Sequence, residues 1–204
     1  MVLGYQLIVG ASGFWLPNDP RGSWSDFVGG WELVRFGRAT KTLDRRSQAA
    51  AEHNHELRLR AKQALKFPPV SFTGRQALAV AQGFDIARQE ATYHVHACAI
   101  MPEHVHLVVA RHERNVSRTI SHFKAKATMR LADSGLWPNA EQPVWAKGGW
   151  HVFLNAPADI EHAIEYVENN PLKEDKPPQF WSFLESFAGR RPLAGYTRPD
   201  KRGG

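Results

Sequence analysis

The stretch TYHVHACAIMPEHVHLVVA, residues 92–110, decides the fold more directly than any other part of the sequence. It holds two runs rich in β-branched, aromatic and small apolar residues, 92–101 and His104–Ala110, on either side of a tight corner at Pro102 and Glu103. Short apolar runs that flank a two-residue connection are typical of a β-hairpin. With such a turn, Met101 would face His104 and Ala99 would face His106.

The hairpin carries two His-x-His pairs, which we call the first pair (His94 and His96) and the second pair (His104 and His106). Because successive side chains of a strand point to opposite faces, both members of a pair share one face. Either pair could therefore chelate a divalent ion. A His-x-His on a strand is nevertheless more often structural than metal-binding, so a metal site needs a third partner from elsewhere in the chain.

The register of the hairpin separates the two pairs. The first pair and Cys98 are expected on one face, and the second pair on the other, together with Ala97 and Ala99. The two pairs therefore cannot form one site. The small alanine side chains would leave open space for a ligand beside the second pair.

The rest of the chain alternates between predicted strands and helices. We expect a strand at 5–9, a polar helix at 42–66 closed by Pro68 and Pro69, and a helix from an N-cap at Thr73 to about residue 90. After the hairpin come a helix from an N-cap at Ser117 to about residue 132, a strand at Trp150–Leu154, and a last helix from Asp159 that must stop at Pro171. This order predicts an α+β fold, an antiparallel sheet with helices packed on one face.

Length and composition limit the alternatives. A chain of 204 residues with 43% hydrophobic and 23% charged residues suits one globular domain, here 1–188, followed by a basic flexible tail at 189–204. No stretch approaches the roughly 18 apolar residues that a membrane helix requires. The apolar start of the chain reads better as a strand than as a signal peptide, so we expect a cytoplasmic protein. The single cysteine allows no internal disulfide, and any metal must be held by nitrogen and oxygen.

Positive charge is concentrated in two places. The net charge is +6, and the segment 35–66 alone holds nine basic against three acidic residues. The tail adds further arginines, including Arg190 and Arg191. Such an excess favours an anionic partner, and a mobile basic tail suits a phosphate backbone. The alternative is that these residues form solvated helix faces and a frayed end.

The last predicted helix offers a third partner for a histidine pair. Tyr166 and Asn170 are four residues apart, so they differ by about 40° around a helix and lie on one face. Pro171 ends the helix directly after Asn170. The alternative is a surface tyrosine followed by an asparagine that terminates a helix.

Three motifs together resemble the single-tyrosine HUH transposases. MPEHVHLVV at 101–109 resembles their M-P-x-H-x-H-L signature, and YVENNP at 166–171 resembles their Y-x-x-x-N-P segment. GFWLPNDPRGSW at 13–24 is similar to the G-T-W-L-P-x-D-x-R-G-S motif of the branch that includes the REP-associated tyrosine transposases. The sequence departs from this pattern at Phe14, where a threonine is common. It departs again after Pro171, where LKEDK replaces the family's V-[KR]-A-G, and the segment 35–48 does not align.

The resemblance implies a ferredoxin-like, RRM-like fold and a sequence-specific DNA endonuclease and strand transferase for transposition or REP-element processing. His104, His106 and Asn170 would hold Mg²⁺ or Mn²⁺, and Tyr166 would attack single-stranded or hairpin DNA to form a covalent 5′-phosphotyrosine. The residue types suit this chemistry, because a phenol with a pKa near 10 needs a cation to offset the charge that develops on a phosphodiester. No nucleotide cofactor is required.

Further DNA contacts are expected from aromatic and basic side chains. Trp15, which could equally be a core residue, and Arg21 would contact bases or a hairpin, and the remaining candidates would follow the DNA backbone: Lys124, Lys126, Arg130, Arg190 and Arg191. Two other functions remain open, a hairpin-binding protein without strand transfer and a metal-dependent phosphodiesterase that uses water. The sequence leaves open the DNA target and whether the protein is a monomer or a homodimer.

Overall fold

The computed structural model of the chain describes residues 1–14, 16, 31–37 and 54–188. Within these ranges the elements are, in order, β1 (Gly4–Gly10), α1 (Trp31–Val34), α2 (His55–Gln63), α3 (Gly74–Ala91), β2 (Val95–Ile100), β3 (His104–Ala110), α4 (Val116–Asp133), β4 (Trp150–Leu154), α5 (Pro157–Glu168) and α6 (Asn170–Lys173). None of the described helices is both long and apolar enough to cross a membrane.

The four strands form one antiparallel sheet in the order β2-β3-β1-β4. With α3 before the hairpin and α4 after it, this is the β-α-β-β-α-β arrangement of ferredoxin-like folds. The predicted α+β class is confirmed. In the hairpin Ala99 lies opposite His106, as the two-residue turn predicts, and the backbone N–H of Met101 donates to the carbonyl of His104 at 2.8 Å.

The sheet has a hydrophobic core on each face. Helices α3 and α4 cover one face, where Phe84 and Phe123 meet edge to face with centroids 5.3 Å apart. The two helices approach each other so closely that a Cβ on Gly83 of α3 would lie 2.5 Å from the Cα of Ala127 on α4. Helix α5 covers the opposite face and packs on β2 and β3 through Ile160, Ala163, Ile164 and Val167. Helices thus lie on both faces of the sheet rather than on the single face that the sequence predicts.

Capping side chains set where several helices begin. Thr73 caps α3 as predicted, and the structure adds a capping box with Gln76. Helix α4 begins at Val116 because the side chain of Asn115, not that of Ser117, accepts the first free N–H, from Arg118, at 2.9 Å. Likewise Asn54 caps α2, which therefore begins at His55. Residues 42–53 of the predicted helix lie outside the described residues.

The last helix also begins earlier than predicted. Helix α5 starts at Pro157, and Asp159 accepts the backbone N–H groups of Asn155 and Ala156 at 3.0 Å each. The helix ends at Glu168, but Pro171 does not end helical structure, because it occupies the first turn of α6, where its missing N–H is not needed.

Candidate active site on strand β3 and helix α5

The second pair lies on the face of the sheet that α5 covers. His106 is 4% exposed and His104 is half-buried, and their ring centroids are 4.8 Å apart at an interplanar angle of 82°. Ala97 and Ala99 belong to the core on this same face, as the register predicts. Their short side chains leave room over β2 for α5 to approach the histidines.

Tyr166 lies at the border of the buried stripe of α5. Its side chain is 41% exposed, while the neighbouring Val167 is fully buried. The Tyr166 ring meets the His106 ring edge to face, with centroids 5.7 Å apart at 77°. A phenol from the last long helix and the imidazoles of the hairpin therefore come together within one chain.

Lys173, which the sequence analysis did not select, also belongs to this arrangement. Its ammonium nitrogen lies 4.4 Å from the centroid of the Tyr166 ring, a cation–π contact. The signal was present in the sequence, because Lys173 follows Tyr166 by seven residues, which is two helical turns. The helical turn of α6 places Lys173 over the Tyr166 ring.

Burial keeps His106 neutral. It holds the pKa of His106 well below its usual range, and the neighbouring His104 and Lys173 lower the pKa further. Among the described residues, the Nδ1 atom of His106 is buried without a hydrogen-bond partner. A neutral imidazole with such a nitrogen is suited to donate a lone pair to a metal ion.

Asn170 provides a second buried polar atom of this kind. The residue is 7% exposed, and its amide nitrogen Nδ2 has no partner in the described part of the chain. The oxygen and nitrogen of an amide are assigned from their partners, so a half-turn of this amide would place an oxygen there instead. No three His, Cys, Asp or Glu side chains converge among the described residues. Two imidazoles and one amide oxygen are a donor set that fits Mg²⁺ or Mn²⁺, with the nitrogens favouring Mn²⁺.

Phe14 covers His104. Its ring stacks on the His104 ring with centroids 4.8 Å apart at 26°, and it is 5% exposed. The preceding Gly13 has a φ of +82°, and a Cβ there would lie 2.8 Å from the Cα of Pro69. The position at which the sequence departs from the family motif is therefore a packing contact of a candidate metal ligand.

The first pair holds the C-terminal part of the described chain. His94 Nδ1 lies 2.5 Å from a carboxylate oxygen of Glu185, and His96 Nδ1 lies 3.2 Å from the Glu185 carbonyl. The His96 ring contacts Phe187 edge to face. Cys98 lies in the α3/α4 core, on the face opposite the second pair, as predicted. The strand register shifts between Val95 and Ala97, so the alternation of faces does not extend from Cys98 to His96.

The three predicted backbone-contacting side chains of α4 are engaged within the protein. Lys124 Nζ donates to the carbonyls of Ala146, at 2.6 Å, and Gly148, and burial lowers its pKa to about 8. Lys126 pairs with Glu90 at 2.6 Å, and Arg130 donates to Gln82 at 2.8 Å. All three side chains therefore have partners within the protein. Their role in DNA contact stays a prediction. Four other candidates lie outside the described residues: Trp15, Arg21, Arg190 and Arg191.

Two of the solved structures that are similar to this chain are transposases by their descriptions. The first is a REP-associated tyrosine transposase bound to a REP hairpin, with a TM-score of 0.45 and 13% identity over 84% of this chain and 68% of that one. The second is described as a candidate transposase from Deinococcus radiodurans R1, with a TM-score of 0.38 and 10% identity over 83% of this chain and 91% of that one. No protein-family model matches the chain, and no curated protein shows significant similarity to it.

Proposed function

We propose that this protein is a DNA endonuclease and strand transferase that acts on single-stranded or hairpin DNA through Tyr166. The observation that carries the proposal is the contact between an exposed phenol and a buried, neutral histidine: the Tyr166 and His106 ring centroids are 5.7 Å apart. Each of the motifs that resemble the single-tyrosine HUH transposases contributes a residue to this arrangement, namely Phe14, the second pair and Tyr166.

In this proposal His104, His106 and Asn170 hold a divalent cation. The support is that the buried nitrogens of His106 and Asn170 have no hydrogen-bond partner among the described residues, although burying such groups unpartnered is costly. When bound, a divalent cation supplies Lewis-acid polarisation of the scissile phosphate. Phe14 fixes the orientation of the His104 ring, which limits the reorganisation needed when a phosphate arrives.

Tyr166 is the proposed nucleophile. Its hydroxyl oxygen forms a bond to phosphorus and loses its proton to solvent, and the bond from phosphorus to the 3′ oxygen breaks. The leaving oxygen takes up a proton and becomes a 3′-hydroxyl, while the 5′ end stays on the enzyme as a phosphotyrosine ester. Attack by the 3′-hydroxyl of another strand reverses these steps and joins a new end, so no nucleotide cofactor is consumed.

Lys173 acts as a positioning residue in this scheme. Its ammonium group lies over the Tyr166 ring, which restrains the ring beside His106. Its positive charge also attracts the DNA phosphate to the exposed side of the phenol.

The test is the Tyr166→Phe variant, mixed with labelled hairpin oligonucleotides whose single-stranded flanks are randomised. Wild-type protein should form a denaturation-resistant adduct with DNA, and the variant should form none. Tyr5→Phe is the matched control, because Tyr5 packs against Phe153 on the opposite, α3/α4 side of the sheet, and it should form the adduct normally.

The other outcomes separate the rival functions. Cleavage without an adduct in the wild type would indicate that water attacks, as in a phosphodiesterase. DNA binding without cleavage would indicate a hairpin-binding protein. Removing divalent cations with EDTA should abolish cleavage while leaving much of the DNA affinity, and undiminished cleavage would refute the metal role.

A further inference from the structure

A separate cleft of about 480 Å³ lies between helix α2 and the segment that follows helix α1. The lining residues are Arg35, Phe36, Leu57, Arg60, Gln63 and Ala64. This volume is within the range of pockets that bind small organic groups and is sufficient for one nucleotide. The proposed function makes no use of this cleft.

The lining combines positive charge with a fixed planar group. It contains two guanidinium groups and one amide, and none of its described residues is acidic. The Arg35 guanidinium lies 4.9 Å from the centroid of the Phe36 ring, and Phe36 is itself 6% exposed in a small core with Leu33 and Ala61. The buried ring thus supports an exposed guanidinium plane.

These groups match the parts of a nucleotide. A guanidinium plane is a surface on which a base can stack, and a second guanidinium forms paired hydrogen bonds to a phosphate. The Gln63 amide can both donate to and accept from a base edge. Stacking with a cationic groove is how proteins bind single strands without requiring one sequence.

The cleft lies one helix away from the candidate active site. Lys62 pairs with Glu103 at 3.8 Å, so one side of α2 faces the turn that carries His104. Arg60 precedes Lys62 by two residues and therefore lies about 200° around the helix, on its other side. The width of one helix, about 10 Å, therefore separates the cleft from the turn that carries His104.

We infer that this cleft, lined by Arg35, Arg60 and Gln63, binds one nucleotide of the single strand that flanks the phosphate attacked by Tyr166. This inference rests on the proposed function for its reference point at Tyr166. The Arg35 guanidinium carries the base, and Arg60 holds the phosphate. The cleft thereby anchors the single-stranded flank of the substrate and adds affinity without specifying sequence.

The experiment measures binding of a fluorescein-labelled dT12 oligonucleotide to the full chain by anisotropy. The test variant is the double substitution Arg35→Gln/Arg60→Gln. The matched control is Arg75→Gln/Arg118→Gln, which removes the same charge from exposed positions on α3 and α4. We expect about a tenfold loss of affinity in the test variant and about twofold or less in the control.

A second measurement uses the single Arg60→Gln variant. The slope of log K against log salt concentration should become shallower by about 0.7, the contribution of one phosphate on a single strand. An unchanged slope, or equal losses in test and control double variants, would overturn the proposal. Binding of thymidine monophosphate as tight as that of dT12 would identify a free-nucleotide pocket and would also overturn it.

The same variants separate this proposal from the proposed function. If wild-type protein forms the Tyr166 adduct but the test variant binds dT12 like the control, the cleft assignment fails and the function stands. If dT12 binding depends on Arg35 and Arg60 but no adduct forms, the strand-binding cleft stands and the proposed chemistry fails.

Discussion

The two histidine pairs have the same spacing, one at the start of β2 and the other on β3, yet they make different contacts. The first pair holds Glu185 and Phe187 at the C-terminal end of the described chain. The second pair faces Tyr166 and includes a buried nitrogen that has no partner in the described ranges. A His-x-His motif therefore does not define a site. What distinguishes the pairs is that one ring nitrogen of the second pair, His106 Nδ1, is buried without a partner in the described part of the chain.

The largest expected effect comes from removing each pair in turn. His104→Ala/His106→Ala should lower the rate of DNA cleavage by at least about 100-fold, because it removes two donors to the proposed cation. His94→Ala/His96→Ala should stay within about twofold of the wild type. Cleavage is measured with labelled hairpin DNA in Mn²⁺, and DNA affinity is measured alongside. Equal losses in the two variants would remove the distinction between the pairs.

The next effect tests Lys173, which lies over the Tyr166 ring beside the second pair. Lys173→Met should lower kcat about tenfold, with less change in KM, because the loss of about 1.4 kcal/mol of restraint on Tyr166 corresponds to that factor. Lys173→Arg should restore most of the rate. Lys176→Met is the matched control, since Lys176 pairs with Glu174 at 3.4 Å. A change confined to KM would mean that Lys173 attracts DNA but does not position the phenol.

A smaller effect is expected from the aromatic ring beside each pair. Phe14→Leu should slow cleavage several-fold and lower the free energy of unfolding by about 1 kcal/mol, because the smaller side chain no longer holds the His104 ring. Phe187→Leu, beside His96, should lower stability by a similar or smaller amount and leave cleavage unchanged. Urea unfolding measures the stability, and cleavage rates over a titration of Mn²⁺ measure the activity and the Mn²⁺ affinity. An unchanged Mn²⁺ affinity in Phe14→Leu would mean that the Phe14 ring contributes to core packing and not to metal binding.

The smallest effect is a pH dependence of stability at the first pair. Burial lowers the pKa of His96, which outweighs the opposing effects of the Glu185 carbonyl and carboxylate. The folded protein therefore binds fewer protons than the unfolded chain, and the contribution of His96 is fully present above about pH 6.5 and is lost as the pH falls towards the lowered pKa. The difference in unfolding free energy between wild type and His96→Gln should change below pH 6.5 by at most about 1.4 kcal/mol per unit. A constant difference from pH 5 to 8 would contradict this.

The features predicted correctly are those that depend on neighbouring residues in the chain. The two-residue turn places Ala99 opposite His106, and Thr73 caps α3. The predictions failed where two local signals competed, since Asn115 and Ser117 can both cap a helix and only one does. Lys124 shows a further limit, because its two carbonyl partners lie in a loop more than twenty residues away.

The sequence by itself determined the hairpin and its register, because strand alternation and turn length act over a few residues. Only the tertiary structure decided which histidine pair meets the phenol and that Lys173 lies over Tyr166. Those outcomes depend on α5 covering the second face of the sheet. That packing follows from apolar surface that is distant in the chain, and no local pattern specifies its position.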